Sequence, residues 1–178
     1  MICGINVALI PASVSVAGVV SICILMTIAE FIIDAVVALI VRYVVPEEYY
    51  HPLRRRFRVL SCERRIYEAI GITKWKDKIP ETGGMLVGFS KGKLSSFRDP
   101  EYLFKFGQET CYAEAMHLWS IPAGFCILLL CPRELILSVA LPVASVNAVL
   151  QLLPILVQRY VRPQIMRLYS RCMNQIQK

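Results

Sequence analysis

Glu114 and His117 stand three residues apart in a chain that has only two histidines. On a helix that spacing puts both side chains on one face, and Glu109, Thr110 and Ala113 continue the stripe toward the N-terminus. A carboxylate beside an imidazole favours the imidazolium and can fix the ring's tautomer. Such a pair can take a proton from a hydroxyl as a general base. The plainer reading is an interfacial Glu and His that cap or pair with neighbours, because Glu-x-x-His is a short pattern.

Other residues offer binding chemistry. Lys74-Trp75-Lys76-Asp77-Lys78 combines three ammonium groups with an indole, which suits capture of a phosphate-bearing headgroup or acyl donor and equally suits plain attraction to anionic lipid. Arg159 can reach a phosphate or Glu114, although an Arg at the end of an apolar segment ordinarily snorkels. Glu30 and Asp34, four residues apart inside an apolar run, are expensive there, so contact with Asn147 or with a polar substrate group is expected of them unless they lie near a helix end. The glycines 83, 84, 88 and 92 can let backbone approach a phosphate, but their spacing matches neither the P-loop nor the dinucleotide fingerprint. The seven cysteines include no C-x-x-C pair, and with two histidines they indicate neither a disulfide framework nor a metal site.

The elements that must position these groups are apolar. Of 178 residues, 56% are hydrophobic and 19% charged, and the apolar residues are segregated into 5–45 and 116–157 with most charges between. A span needs about 20 apolar residues, so the first run is overlong: its main span is placed at 16–45, with a looser entry or a short helix before it around Pro11, and division of the run into two spans is the alternative. It lacks the basic flank and cleavage site of a secretory signal and is expected to be retained. Pro132-Arg133-Glu134 divides the second run into a helical hairpin, 116–131 and 135–157. Arg54, Arg55, Arg56, Arg58, Arg64, Arg65, Lys74, Lys76 and Lys78 follow the first span and Arg159, Arg162, Arg167 and Arg171 the last, which places both basic regions on the cytoplasmic side. The net charge of +7 thus reflects topology, and no nucleic-acid partner is expected.

The expected fold is an all-α integral membrane protein of the cell membrane, multi-pass. It has an N-terminal transmembrane region over 1–45 and a basic cytoplasmic interfacial segment over 46–112. A transmembrane hairpin over 113–158 and a basic cytoplasmic tail over 159–178 follow. Within 46–112 a helix is expected over 63–70, followed by a stretch with no sustained period.

An ordered set of these residues resembles the glycosyl-4,4'-diaponeurosporenoate acyltransferase family of staphyloxanthin-type carotenoid biosynthesis. It runs from Pro46-Glu47-Glu48-Tyr49-Tyr50 through Glu63, Tyr67, the Lys-Trp-Lys-Asp-Lys segment, Gly83-Gly84 and 91–94. It continues with Glu109-Thr110, Ala113-Glu114 and His117 and closes on Gln158-Arg159-Tyr160 and Arg162-Pro163. Departures are Leu118 between His117 and Trp119, Val161 in place of an Asn, and Gln151 in place of an Asn within the last span. The resemblance implies a membrane-bound acyltransferase that moves a fatty acyl group onto a hydroxyl of a glycolipid or glycosylated terpenoid at the cytoplasmic leaflet. It implies His117 and Glu114 as the catalytic pair and Lys74, Trp75, Lys78, Arg159 and Glu109 as substrate-binding residues. The partners it implies are membrane lipids, a lipid-like acceptor and an acyl donor, acyl-CoA or acyl carrier protein, with no bound cofactor. The residues alone also fit a non-enzymatic lipid-binding or partner subunit, or another lipid-modifying membrane enzyme.

Overall fold

A computed structural model of the chain describes residues 15–79 and 99–176. The residues around Pro11 and the glycines 83–92 lie outside the described residues. Every regular element among the described residues is helical. The longer ones are α1 (Val16–Leu39), α2 (Ser61–Ala69), α3 (Ile72–Trp75), α4 (Pro100–Gly124) and α5 (Leu141–Ile176), joined by short 3₁₀ and π turns.

The chain forms two compact units. The first comprises 1–44 and 116–152, the second 45–115 and 153–178.

In the first unit, α1 starts at Ser15, whose hydroxyl accepts the Gly18 N–H at 3.1 Å and so satisfies one otherwise unpaired donor of the first turn. The helix has no interior proline, relaxes into a π turn over Ile40–Val44 and stops before Pro46, which disfavours helical backbone in the residue preceding it. It buries a narrow stripe, Val19 and Met26, against Ile127, Cys131, Leu135, Val139, Ala140 and Ala144. Its other faces are apolar and open, with Leu25, Phe31 and Ile32 all well exposed. After Gly124 the chain tightens into a 3₁₀ turn over Phe125–Leu129, reverses through Pro132, and enters α5 by a second 3₁₀ turn and a π turn over Ile136–Ala140.

The helices Val16–Val44 and Arg133–Ile176 are long and apolar enough to cross a membrane. The other expected arm, 116–131, differs from them: its α-helical part ends at Gly124, the helix contains Pro122, and the remainder is 3₁₀. Nine residues from Met116 to Gly124 rise only about 14 Å.

In the second unit, α4 begins at Pro100, before the point where the apolar block starts. Leu103, Phe106, Thr110, Cys111 and Glu114 are its buried stripe. Leu103 and Phe106 pack on Ile165 of α5, with Val161 and Leu168 beside them. Gly107 lets the helices pack closely here, since a Cβ would sit 2.7 Å from the Met166 sulfur, which would have to move, and 3.4 Å from Pro52. The expected basic tail is helical as far as Ile176, despite Pro154 and Pro163. Tyr50, Phe57 and Tyr112 make an aromatic cluster, the Tyr50 and Tyr112 rings lying 3.9 Å apart between centroids.

Candidate functional site

The polar side chains gather in two places, one in each unit. In the first unit, Glu30 and Asp34 share one face of α1 and Asn147 and Gln151 share one face of α5, each pair four residues apart. The pairs meet in register. Asn147 Nδ2 donates to Glu30 Oε2 at 2.8 Å, which is the contact expected from the sequence, and Gln151 Nε2 donates to Asp34 Oδ2 at 2.6 Å. Gln151 Nε2 also donates to Asn147 Oδ1 at 3.3 Å. Gly124 makes room for this ladder: a Cβ there would lie 2.7 Å from Glu30 Oε2 and 2.9 Å from Asn147 Nδ2.

The ladder ends on the imidazole. The two acceptors facing Gln151 Nε2 fix the orientation of its amide, so the carbonyl oxygen is the atom directed at His117 Nδ1, 2.5 Å away. A carbonyl oxygen only accepts, so Nδ1 carries the proton and the lone pair of the neutral ring is on Nε2. Gln151 is buried and His117 half-buried.

The second unit holds a lattice of two arginines and two glutamates. Arg159 presents Nε and Nη2 to the two oxygens of Glu63 at 2.9 and 2.8 Å, a bidentate fork, and Nη1 to Glu114 Oε1 at 2.6 Å. Arg162, 2% exposed, donates to Thr110 Oγ1 at 2.7 Å, Thr110 O at 2.9 Å and Phe57 O at 3.0 Å, and pairs with Glu114 Oε2 at 2.6 Å. Its guanidinium also lies 5.3 Å from the centre of the Phe57 ring. Glu63 further accepts the Leu60 N–H at 3.0 Å, capping the start of α2, and the Tyr67 hydroxyl at 2.6 Å. The hydrogen bonds from Arg159 hold the Glu63 carboxyl down to about 2, against the upward pull of burial and with help from Tyr67 and Leu60. Burial and the bond to Glu63 push the Tyr67 phenol up to about 12, so it stays a donor.

The structure therefore gives the two residues of the Glu-x-x-His motif different partners. The oxygens of Glu114 take Arg159 and Arg162, while Gln151 orients the His117 ring. Arg159 meets Glu114, one of its two expected partners. Lys74 is exposed on α3 and Lys78 exposed in the turn after it. Trp75 is half-buried, with its indole N–H on Ile70 O at 3.2 Å. Glu109 is half-buried on α4. In the sequence Gln151 stands out only as a departure from a pattern. The signal available was its spacing from Asn147, the same four-residue step as Glu30 to Asp34, in a second apolar helix. Thr110 and Arg162 belong to the same sequence motifs, and only the fold joins them.

A family profile described as glycosyl-4,4'-diaponeurosporenoate acyltransferase matches residues 46–171. No curated protein and no solved structure matches the chain.

Proposed function

The chain belongs to the glycosyl-4,4'-diaponeurosporenoate acyltransferase family and is an acyltransferase, and from that premise we propose that His117 is its general base, acting on a hydroxyl of a glycosylated, lipid-like acceptor at a membrane surface. The observation that carries this reading is the Gln151 amide, whose two acceptor neighbours leave its carbonyl for Nδ1 and so put the basic lone pair on Nε2. The acceptor hydroxyl gives its proton to Nε2 while its oxygen attacks the acyl carbonyl carbon. As the new C–O bond forms and the tetrahedral adduct collapses, the carbon–sulfur bond of a thioester donor breaks. The imidazolium then returns the proton to the leaving thiolate.

Gln151, held by Asp34 and Asn147, keeps the ring in the useful tautomer and is a positioning residue. Glu114 serves a different end from that first expected: it matches the charges of Arg159 and Arg162 and holds the frame of the second unit. A membrane location at the cytoplasmic leaflet is supported by the two span-length apolar helices, by the open apolar faces of α1 and by the basic residues that follow each apolar run. Lys74, Trp75 and Lys78 would then seat the chain on anionic headgroups.

Mass spectrometry of membrane lipids from cells making wild-type and His117→Ala protein tests the assignment. At equal protein levels, acylated glycolipid is expected to form about a hundred- to ten-thousandfold more slowly in the variant. Unchanged product would remove His117 from the chemistry.

A further inference from the structure

A cavity of about 520 Å³ opens within the second unit, beside the arginine–glutamate lattice. Leu60, Arg64 and Tyr67 line it from α2 and the residue before it, and Arg167 and Arg171 line it from one face of α5. Its size suits a small phosphorylated molecule.

The charge of its walls is one-sided. Arg64, Arg159, Arg167 and Arg171 all contribute to the lining, and no carboxylate does. Arg159 is already matched by Glu63 and Glu114. Arg64 makes only an exposed pair with Glu68, 63% and 53% open to solvent. Arg167 and Arg171 are four residues apart on one helix, where like charges repel. Arg167 spends its Nε on Pro163 O at 3.1 Å, one of five guanidinium donors. The arginine excess therefore faces a space, and the same space has apolar walls in Val59, Leu60 and Leu168. An arginine fork with apolar surface beside it is the arrangement that recognises an organic phosphate.

We infer that this cavity binds a phosphate ester, with Arg64, Arg167 and Arg171 as its ligands and the apolar wall against the carbon chain next to the phosphate. On the acyltransferase reading above, on which this inference rests, the phosphate belongs to the carrier of the acyl donor; the headgroup of an anionic phospholipid presents the same chemistry.

Equilibrium binding to the purified full-length chain in detergent separates these sources, with coenzyme A as one probe and short-chain phosphatidylglycerol, compared with phosphatidylcholine, as the other. The Arg167→Gln/Arg171→Gln double variant alters exposed side chains, and Lys74→Gln/Lys78→Gln removes the same charge outside the cavity. A loss of coenzyme A affinity of about tenfold or more in the arginine variant only, with melting temperature unchanged, is the expected result. A loss confined to phosphatidylglycerol supports the same phosphate site with a lipid as its ligand. Equal losses in both double variants, or none in either, would overturn it, since bulk charge or no site at all would explain the data. His117→Gln tells this inference from the reading it rests on: it keeps coenzyme A binding while losing transfer. Retained transfer in His117→Gln with lost binding in the arginine variant would leave the cavity standing and remove the base.

Discussion

The two polar clusters answer the cost of burying charge in opposite ways. In the second unit two guanidinium groups meet two carboxylates, and the forks use both oxygens of Glu63 and both of Glu114. Burial there is compensated charge for charge, and the result is a clamp that joins 57–67 to α4 and α5. In the first unit two carboxylates meet two amides, which neutralise nothing. That ladder costs stability and ends on an imidazole with a defined tautomer. A charge-matched network makes a frame, whereas an unmatched pair of carboxylates beside a titratable nitrogen is where chemistry is expected.

The comparison breaks most easily at Arg162. Arg162→Ala leaves Glu114 and Thr110 without their buried partner and is expected to lower unfolding stability by about 3–5 kcal/mol. Arg162→Lys should recover little, because an ammonium cannot fork to Thr110, Phe57 and Glu114 together. Denaturant melts of the full chain in detergent would check both, and a loss below about 1 kcal/mol would mean the lattice is not the frame.

Gln151→Leu is the matching cut in the first unit. Turnover is expected to fall on the order of tenfold to a hundredfold, chiefly in kcat, with acceptor KM nearly unchanged. An unaltered kcat would show that the imidazole does not need its amide.

Glu63 sharpens the contrast by pH. Its folded pKa, about 2, lies below the ordinary value of 4.5, so its contribution is complete above about 4.5 and disappears as pH falls toward 2. Stability measured across that window should slope downward on acidification in the wild type and less steeply in Glu63→Gln. The smallest effect is expected at Arg64: Arg64→Ala breaks an exposed i,i+4 pair and should leave the denaturation midpoint nearly unchanged. A loss as large as that of Arg162→Ala would mean surface pairs share the load.

Much of the framework was legible in the residues. α1 announces itself as an apolar run ended by Pro46, and the reversal at Pro132 follows from a proline and two charges in an apolar block. The buried stripe of α4 is harder to see, because Thr110 and Glu114 occupy positions where apolar residues signal a core, and their burial is compensated by Arg162 and, for Glu114, by Arg159 as well. The reading of the chain as a non-enzymatic subunit gives way to its family membership.

The sequence by itself determined which chemical groups exist and their local spacing: Glu30 with Asp34, Asn147 with Gln151, Glu114 with His117, Arg159 with Arg162. Local spacing decides only which side chains share a helix face. Which face meets which was left to tertiary packing, since hydrogen bonds between residues 117 apart, as in Glu30 with Asn147 and Asp34 with Gln151, depend on how the helices dock. That docking gave Glu114 to the arginines and His117 to Gln151. Two residues three apart on one helix thereby took separate partners.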